Sequence, residues 1–81
     1  MNAFTIEFVS RNEYEQLAVE ISYRGQLLCE INAERGPEEL EVEFAKDYRL
    51  LGENIELRFP VVEFSKAFEG ACTALVTACG P

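Results

Sequence analysis

Residues 17–33 read LAVEISYRGQLLCEINA and hold two alternating segments separated by a glycine. In the first segment, apolar side chains recur at every second position, at Leu17, Val19, Ile21 and Tyr23. The second segment repeats the pattern, at Leu27, Cys29, Ile31 and Ala33. This period of two is typical of strands with one buried face. Because Gly25 can supply the positive φ of a tight turn, the stretch predicts an antiparallel hairpin of strands 16–23 and 27–33.

Outward from this hairpin, the same alternation predicts three more strands. Phe4, Ile6 and Phe8 indicate a strand over residues 3–9, and Leu40, Val42 and Phe44 indicate one over 39–45. A shorter run, Ile55, Leu57 and Phe59, predicts a fifth strand over 54–59, which Pro60 ends. All six phenylalanines fall on the buried period and are expected in the core: Phe4, Phe8, Phe44, Phe59, Phe64 and Phe68.

After Pro60 the apolar spacing changes to steps of three and four, which predicts a helix over 61–79. Gly70 in its middle costs about 1 kcal/mol relative to alanine, or marks a close approach to the sheet. About 18 helical residues span roughly 27 Å, which matches the length of one strand. The expected fold is therefore α+β: an antiparallel sheet of four to five strands with one C-terminal helix packed on one face.

Length and composition set the class of protein. The 81 residues are too few for two domains, so residues 1–81 are expected to form one domain. The sequence holds no apolar run of bilayer length and no secretion-signal layout at its start, so we expect a cytoplasmic protein. The odd number of cysteines, Cys29, Cys72 and Cys79, favours reduced thiols in the core.

The sequence offers little for catalysis. It contains no histidine, the commonest general base and metal ligand. Cys72 and Cys79 lie two helical turns apart and no CxxC pair occurs, which argues against a metal site. No glycine-rich phosphate loop is present. We therefore expect no enzyme activity, no catalytic residues, no metal and no cofactor.

Charge points to the kind of partner. Fifteen acidic and seven basic residues give a net charge of -8, which repels nucleic acid and anionic membranes and attracts basic protein surfaces. Solubility alone is a competing explanation of an acidic surface. If the helix covers one sheet face, the alternating glutamates point to water on the other. The predicted partner-binding residues are these glutamates and two loop residues: Glu7, Glu20, Glu30, Glu41, Glu43, Glu56, Asp47 and Tyr48.

Three segments, 12–21, 23–26 and 36–44, resemble small bacterial immunity proteins of the contact-dependent growth inhibition type. The resemblance covers roughly residues 5–68, and Pro60–Phe68 is similar to the start of the final helix in those proteins. It implies a protein that binds and neutralises the C-terminal toxin domain of a large secreted effector, often a nuclease. It would act without chemistry of its own, as a monomer or weak dimer when free.

A second interpretation stays open, namely a small non-catalytic subunit or a regulatory adaptor in a protein complex. The apolar segment Thr73–Ala78 favours it, because Leu75 and Val76 occupy different faces of the predicted helix. One of these two side chains would then be available to another subunit.

Overall fold

The computed structural model describes residues 3–10, 17–44 and 57–79. The elements are β1 (Phe4–Val9), β2 (Ala18–Tyr23), β3 (Gln26–Asn32), β4 (Glu41–Phe44) and α1 (Val61–Cys79). The four strands form one antiparallel sheet in the order β1-β2-β3-β4, and α1 packs against one of its faces. The α+β architecture expected from the alternation is confirmed.

The hairpin that joins β2 to β3 has a turn with two left-handed residues. Arg24 has a φ of 50° and Gly25 one of 86°, the pair of positive values that a type I′ turn needs. Two contacts hold the non-glycine residue there. The Arg24 guanidinium lies 5.4 Å from the centroid of the Tyr23 ring, and its backbone N–H donates to the Ala3 carbonyl at 3.0 Å. The hairpin turn is thereby tied to the start of β1.

The core lies between α1 and the central strands. The largest fully buried side chains are Ile21, Ile31, Leu75, Val19 and Cys29. On the helix, the buried residues Ala67, Ala71 and Leu75 recur every four positions, so that one stripe of α1 faces the sheet. At one end an aromatic cluster of Phe4, Tyr23, Phe59 and Phe64 has neighbouring ring centroids between 4.7 and 6.0 Å apart.

Several apolar residues expected on the buried face are exposed, including Leu17, Val42 and Leu57. Ile6 keeps 39% of its surface accessible, Phe8 48% and Phe44 66%. Each projects on the same face as the core residues opposite it, so its side of the sheet is as predicted. Among the described elements, α1 contacts β2 most, reaches β1 and β3 less, and does not contact β4, which leaves Phe44 uncovered. Ile6 and Phe8 stay partly accessible on the edge strand β1. The core prediction is therefore wrong at all of these positions.

A register shift between Ile21 and Ser22 places Leu28 against the core, where the alternation had predicted Leu27. Ile21 lies opposite Cys29, but Ser22 lies opposite Leu27, which leaves Leu28 as an extra residue on β3. Leu28 packs against the core cluster, in the role that the alternation assigned to Leu27. A single bulge thus reverses the alternation beyond it.

The predicted fifth strand is wrong over its described part, because residues 57–59 belong to no strand; residues 54–56 lie outside the described residues. Phe59 packs instead against Phe4 and Tyr23, at centroid distances of 5.0 and 4.7 Å. The next residue, Pro60, accepts a hydrogen bond at 3.2 Å from the Phe64 N–H, which begins α1. The chain therefore passes from the aromatic cluster directly into the helix.

Gly70 does not mark a close approach between α1 and the sheet. A Cβ placed on it would meet no atom within 4 Å, so the cost of Gly70 is its low helix propensity alone.

α1 is 19 residues long, and within residues 3–10, 17–44 and 57–79 no helix is long and apolar enough to cross a bilayer.

Candidate acidic interface

Strand register aligns four glutamates across the entire sheet. Glu7 lies opposite Glu20, Glu20 opposite Glu30, and Glu30 opposite Glu43. Directly opposed residues of antiparallel strands project on the same face. The helix packs on the other face, since its buried side chains belong to the core cluster with Ile21. We call the four side chains Glu7, Glu20, Glu30 and Glu43 the acidic row.

The acidic row ends in a concave region beside β4. Glu41 lies two positions before Glu43 and therefore on the same face, directly opposite Asn32. An open depression of about 380 Å³ is lined by Asn32, Glu34, Glu41, Val42 and Glu43. We call it the acidic depression. It brings three carboxylates together at one end of the face.

The residues of the acidic row differ in how accessible they are. Glu7 and Glu43 are exposed at the two sheet edges, and Glu20 is half-buried. Glu30 is only 6% exposed, so the expectation that it points to water is wrong. Asn32, two positions further along β3 on the same face, is buried as well, at 7%. The two ends of the row lie on edge strands. A large partner can therefore reach the row most easily at its ends.

The rim of the acidic depression is shaped by the turn before β4. The Gly36 N–H donates to the Ala33 carbonyl at 2.9 Å, with Gly36 at a φ of 104°. Asn32 Oδ1 accepts from the Glu34 N–H at 3.2 Å. Arg35 Nε lies 3.4 Å from Glu41 Oε2, and both side chains are exposed. Since exposed ion pairs are weak, a basic group of a partner could replace Arg35 at Glu41.

The acidic row carries an energetic cost in the free protein. Like charges directly opposite on neighbouring strands destabilise a sheet by roughly 0.2–1 kcal/mol per pair. Glu20, Glu30 and Glu43 each take part in further interactions as well. Cationic side chains placed along the face would lower this repulsion between like charges.

The predicted site residues divide into two groups. Five of them lie on one face: Glu7, Glu20, Glu30, Glu41 and Glu43. Glu56, Asp47 and Tyr48 lie outside the described residues. Sequence reasoning missed Asn32 and Glu34, which line the acidic depression. The only signal was the break at Glu34–Glu38, and alternation cannot reveal that this turn borders β4.

The cysteine thiols are poorly suited to nucleophilic chemistry. Burial, together with the nearby Cys72, raises the pKa of Cys29 from 9.0 to about 11. Burial also raises the pKa of Cys72. Thiols with raised pKa values stay protonated at neutral pH, and the thiolate is the reactive form.

Within the described residues, no three His, Cys, Asp or Glu side chains are grouped so as to hold a metal ion.

The main features of this sheet face are the acidic row and the acidic depression at its β4 end. No family model, curated protein or solved structure matches the chain. The surface presents separate carboxylates over the width of a sheet, with strands spaced about 4.8 Å apart. Such spacing suits several cationic side chains of one protein better than a single small ion.

Proposed function

We propose that this chain is an immunity protein, which binds and neutralises a basic toxin domain through the sheet face that carries the acidic row. The observation that supports the proposal most strongly is the row itself. Four glutamates stand directly opposite one another across the sheet, a placement that disfavours the free sheet through like-charge repulsion. Glu7 and Glu43, at the two ends of the row, are exposed. A basic partner would turn this repulsion into attraction.

A nuclease toxin domain fits the charge of this surface. An enzyme that grips RNA or DNA needs a cleft of lysine and arginine side chains to hold the phosphates. An acidic protein face can occupy such a cleft or its rim, and complementary charge also raises the association rate. The inhibitor needs no reactive group, and the raised thiol pKa values of Cys29 and Cys72 agree with a role in packing.

The first experiment is co-expression of this chain with the protein encoded immediately upstream, purified through a tag on one of them. We expect a one-to-one complex that survives moderate salt and that blocks the toxicity of the upstream protein. The double substitution Glu41→Lys plus Glu43→Lys should abolish both copurification and protection, because it reverses charge at the acidic depression.

A matched control is available on the helix. Glu63→Lys plus Glu69→Lys changes the net charge by the same amount at two exposed positions of α1. We expect this variant to copurify and protect like the wild type. Thermal unfolding of both variants shows whether each still folds. Absence of a complex with the wild-type chain, or equal loss in the two variants, would refute the proposed function.

A non-catalytic subunit or adaptor is the second candidate, and one observation favours it. Val61 and Val62, at the start of α1, are 77% and 64% exposed, and Phe44 is also accessible. Sedimentation of the purified chain over a range of concentrations distinguishes the two roles. Stable self-association, or capture by a co-encoded enzyme subunit in place of a toxin, would favour the adaptor.

A further inference from the structure

β4 is an edge strand with both of its side-chain faces accessible. In the sheet of described strands it pairs with β3 alone, and all four of its residues are exposed. Val42 and Phe44 keep 41% and 66% of their surfaces accessible. An open edge offers backbone hydrogen-bonding groups to an added strand. β4 therefore has the form of a strand that can receive a partner segment.

The two faces of β4 differ in chemistry. Val42 and Phe44 project on the helix side, opposite the buried residues Ile31 and Cys29. Glu41 and Glu43 project on the other side, where they line the acidic depression. An added strand would continue both faces, because side chains alternate across a pleated sheet. Its apolar residues would cover Phe44, and its basic residues would meet the glutamates.

We propose that β4 is a docking edge for an extended protein segment in which basic and apolar side chains alternate. The segment adds to the sheet beside β4 and places its cationic side chains over Glu41 and Glu43. The assignment of this segment to a toxin domain rests on the proposed function. The docking edge itself rests on the exposure and the alternating chemistry of β4.

A second copy of this chain fits the edge poorly. An antiparallel pairing of two β4 strands centred on Val42 or on Glu43 sets carboxylates opposite carboxylates. A pairing centred between these two residues sets an apolar side chain opposite an acidic one. Each chain also carries a net charge of -8, which opposes self-association. Charge complementarity thus favours a basic partner segment.

β1, the other edge, supplies an internal control. Its side away from the helix carries Thr5, Glu7 and Val9, which is one carboxylate among uncharged residues. An alternating basic segment would meet only that carboxylate. It should therefore prefer β4 over β1.

The test uses a capped six-residue peptide of alternating lysine and valine as the probe, added to isotope-labelled protein. Amide hydrogen exchange is followed residue by residue. We expect exchange at the β4 amides to slow in a saturable manner, whereas exchange at β1 is unchanged. A peptide of alternating glutamate and valine should have no effect. Phe44→Ser should abolish the protection, and Phe8→Ser, at the exposed phenylalanine of β1, should leave it intact.

Three outcomes would overturn the inference. They are unchanged exchange at β4, equal slowing at β1 and β4, and slowing that follows protein concentration without peptide, which indicates self-pairing. The outcome separates this inference from the proposed function. Peptide protection without a complex with the upstream protein would leave the docking edge standing and refute the toxin assignment. A toxin complex in which the β4 amides are not protected would support the proposed function and refute the docking edge.

Discussion

The two edge strands of the sheet are integrated into the domain to different degrees. β1 contacts α1, and its first residue, Phe4, lies buried in the aromatic cluster with Tyr23, Phe59 and Phe64. β4 is shorter, and each of its four residues is exposed. One edge is anchored by the core and the other is presented to the surroundings.

The difference teaches how a small domain separates stability from binding. Exposed edges invite uncontrolled strand pairing, and charged side chains are a common protection against it. On β4 the glutamates supply this protection, yet Val42 and Phe44 remain accessible beside them. Such a strand discourages pairing with acidic or neutral edges and still accepts a basic one. Selective docking therefore requires no change in the core.

The largest difference between the edges should appear in stability. Phe4→Ala removes a buried ring from the aromatic cluster and should lower the free energy of unfolding by about 3–5 kcal/mol. Phe44→Ala removes an exposed ring and should cost less than about 1 kcal/mol. Urea unfolding measures both. Similar losses in the two variants would erase the distinction between an anchored and a presented edge.

Affinity for a basic partner should depend more on β4 than on β1, the reverse of the order expected for stability. Glu43→Lys, at the β4 end of the acidic row, should weaken the proposed toxin complex by about tenfold or more. Glu7→Lys, at the β1 end, should weaken it by no more than about threefold. Calorimetric titration gives both dissociation constants. Greater sensitivity at Glu7 would move the interface to β1.

The pH dependence of stability should show that Cys29, which lies opposite Phe44 on β3, is buried. The pKa of Cys29 is raised from 9.0 to about 11 by burial and by nearby Cys72, although its cross-strand neighbour is exposed. Below pH 9 the thiol is protonated in both states and does not change stability. Between pH 9 and 11 the unfolded chain releases the proton that the folded one retains, so stability falls. Urea midpoints of Cys29→Ala should lack this part of the decline, and an identical decline in the variant would contradict it.

The smallest effect concerns the repulsion within the acidic row. Glu7→Lys places opposite charges across the β1–β2 pair and should stabilise the free domain by about 0.2–1 kcal/mol. Thermal unfolding at low salt is the appropriate measurement, and added salt should reduce the gain. Thr5→Lys on the same strand controls for the general benefit of a positive charge. A loss of stability in Glu7→Lys would show that the repulsion is already compensated.

Alternation and spacing predicted most of the fold. Each of the four observed strands begins and ends within two residues of its predicted limits, and the helix limits coincide. The reason is that a period of two or of 3.6 reports which side chains share a face. Exposure at Phe8 and Phe44 could not be predicted in this way, because it depends on the position of each strand in the sheet and on which strands the helix covers.

The sequence predicted which glutamates share a face of the sheet, but it did not predict their burial or the depression beside β4. The alternation placed six glutamates on one side, of which Glu56 lies outside the described residues, and the register joined four of the others into a row. The burial of Glu30 was not predicted by the alternation, and the rim of the acidic depression is shaped by the turn at Gly36. Both depend on neighbours distant in sequence. The bulge at Leu28 likewise has no signature in the alternation of residues 26–32.

The most direct test of electrostatic recognition is the association rate constant of this chain with the proposed basic toxin domain, measured by stopped flow at increasing salt. Recognition through the acidic row predicts a steep fall in the rate constant with ionic strength. The fall should be much shallower for Glu41→Lys plus Glu43→Lys and unchanged for Glu63→Lys plus Glu69→Lys. A rate constant insensitive to salt, or one that responds equally to both variants, would contradict recognition through this face.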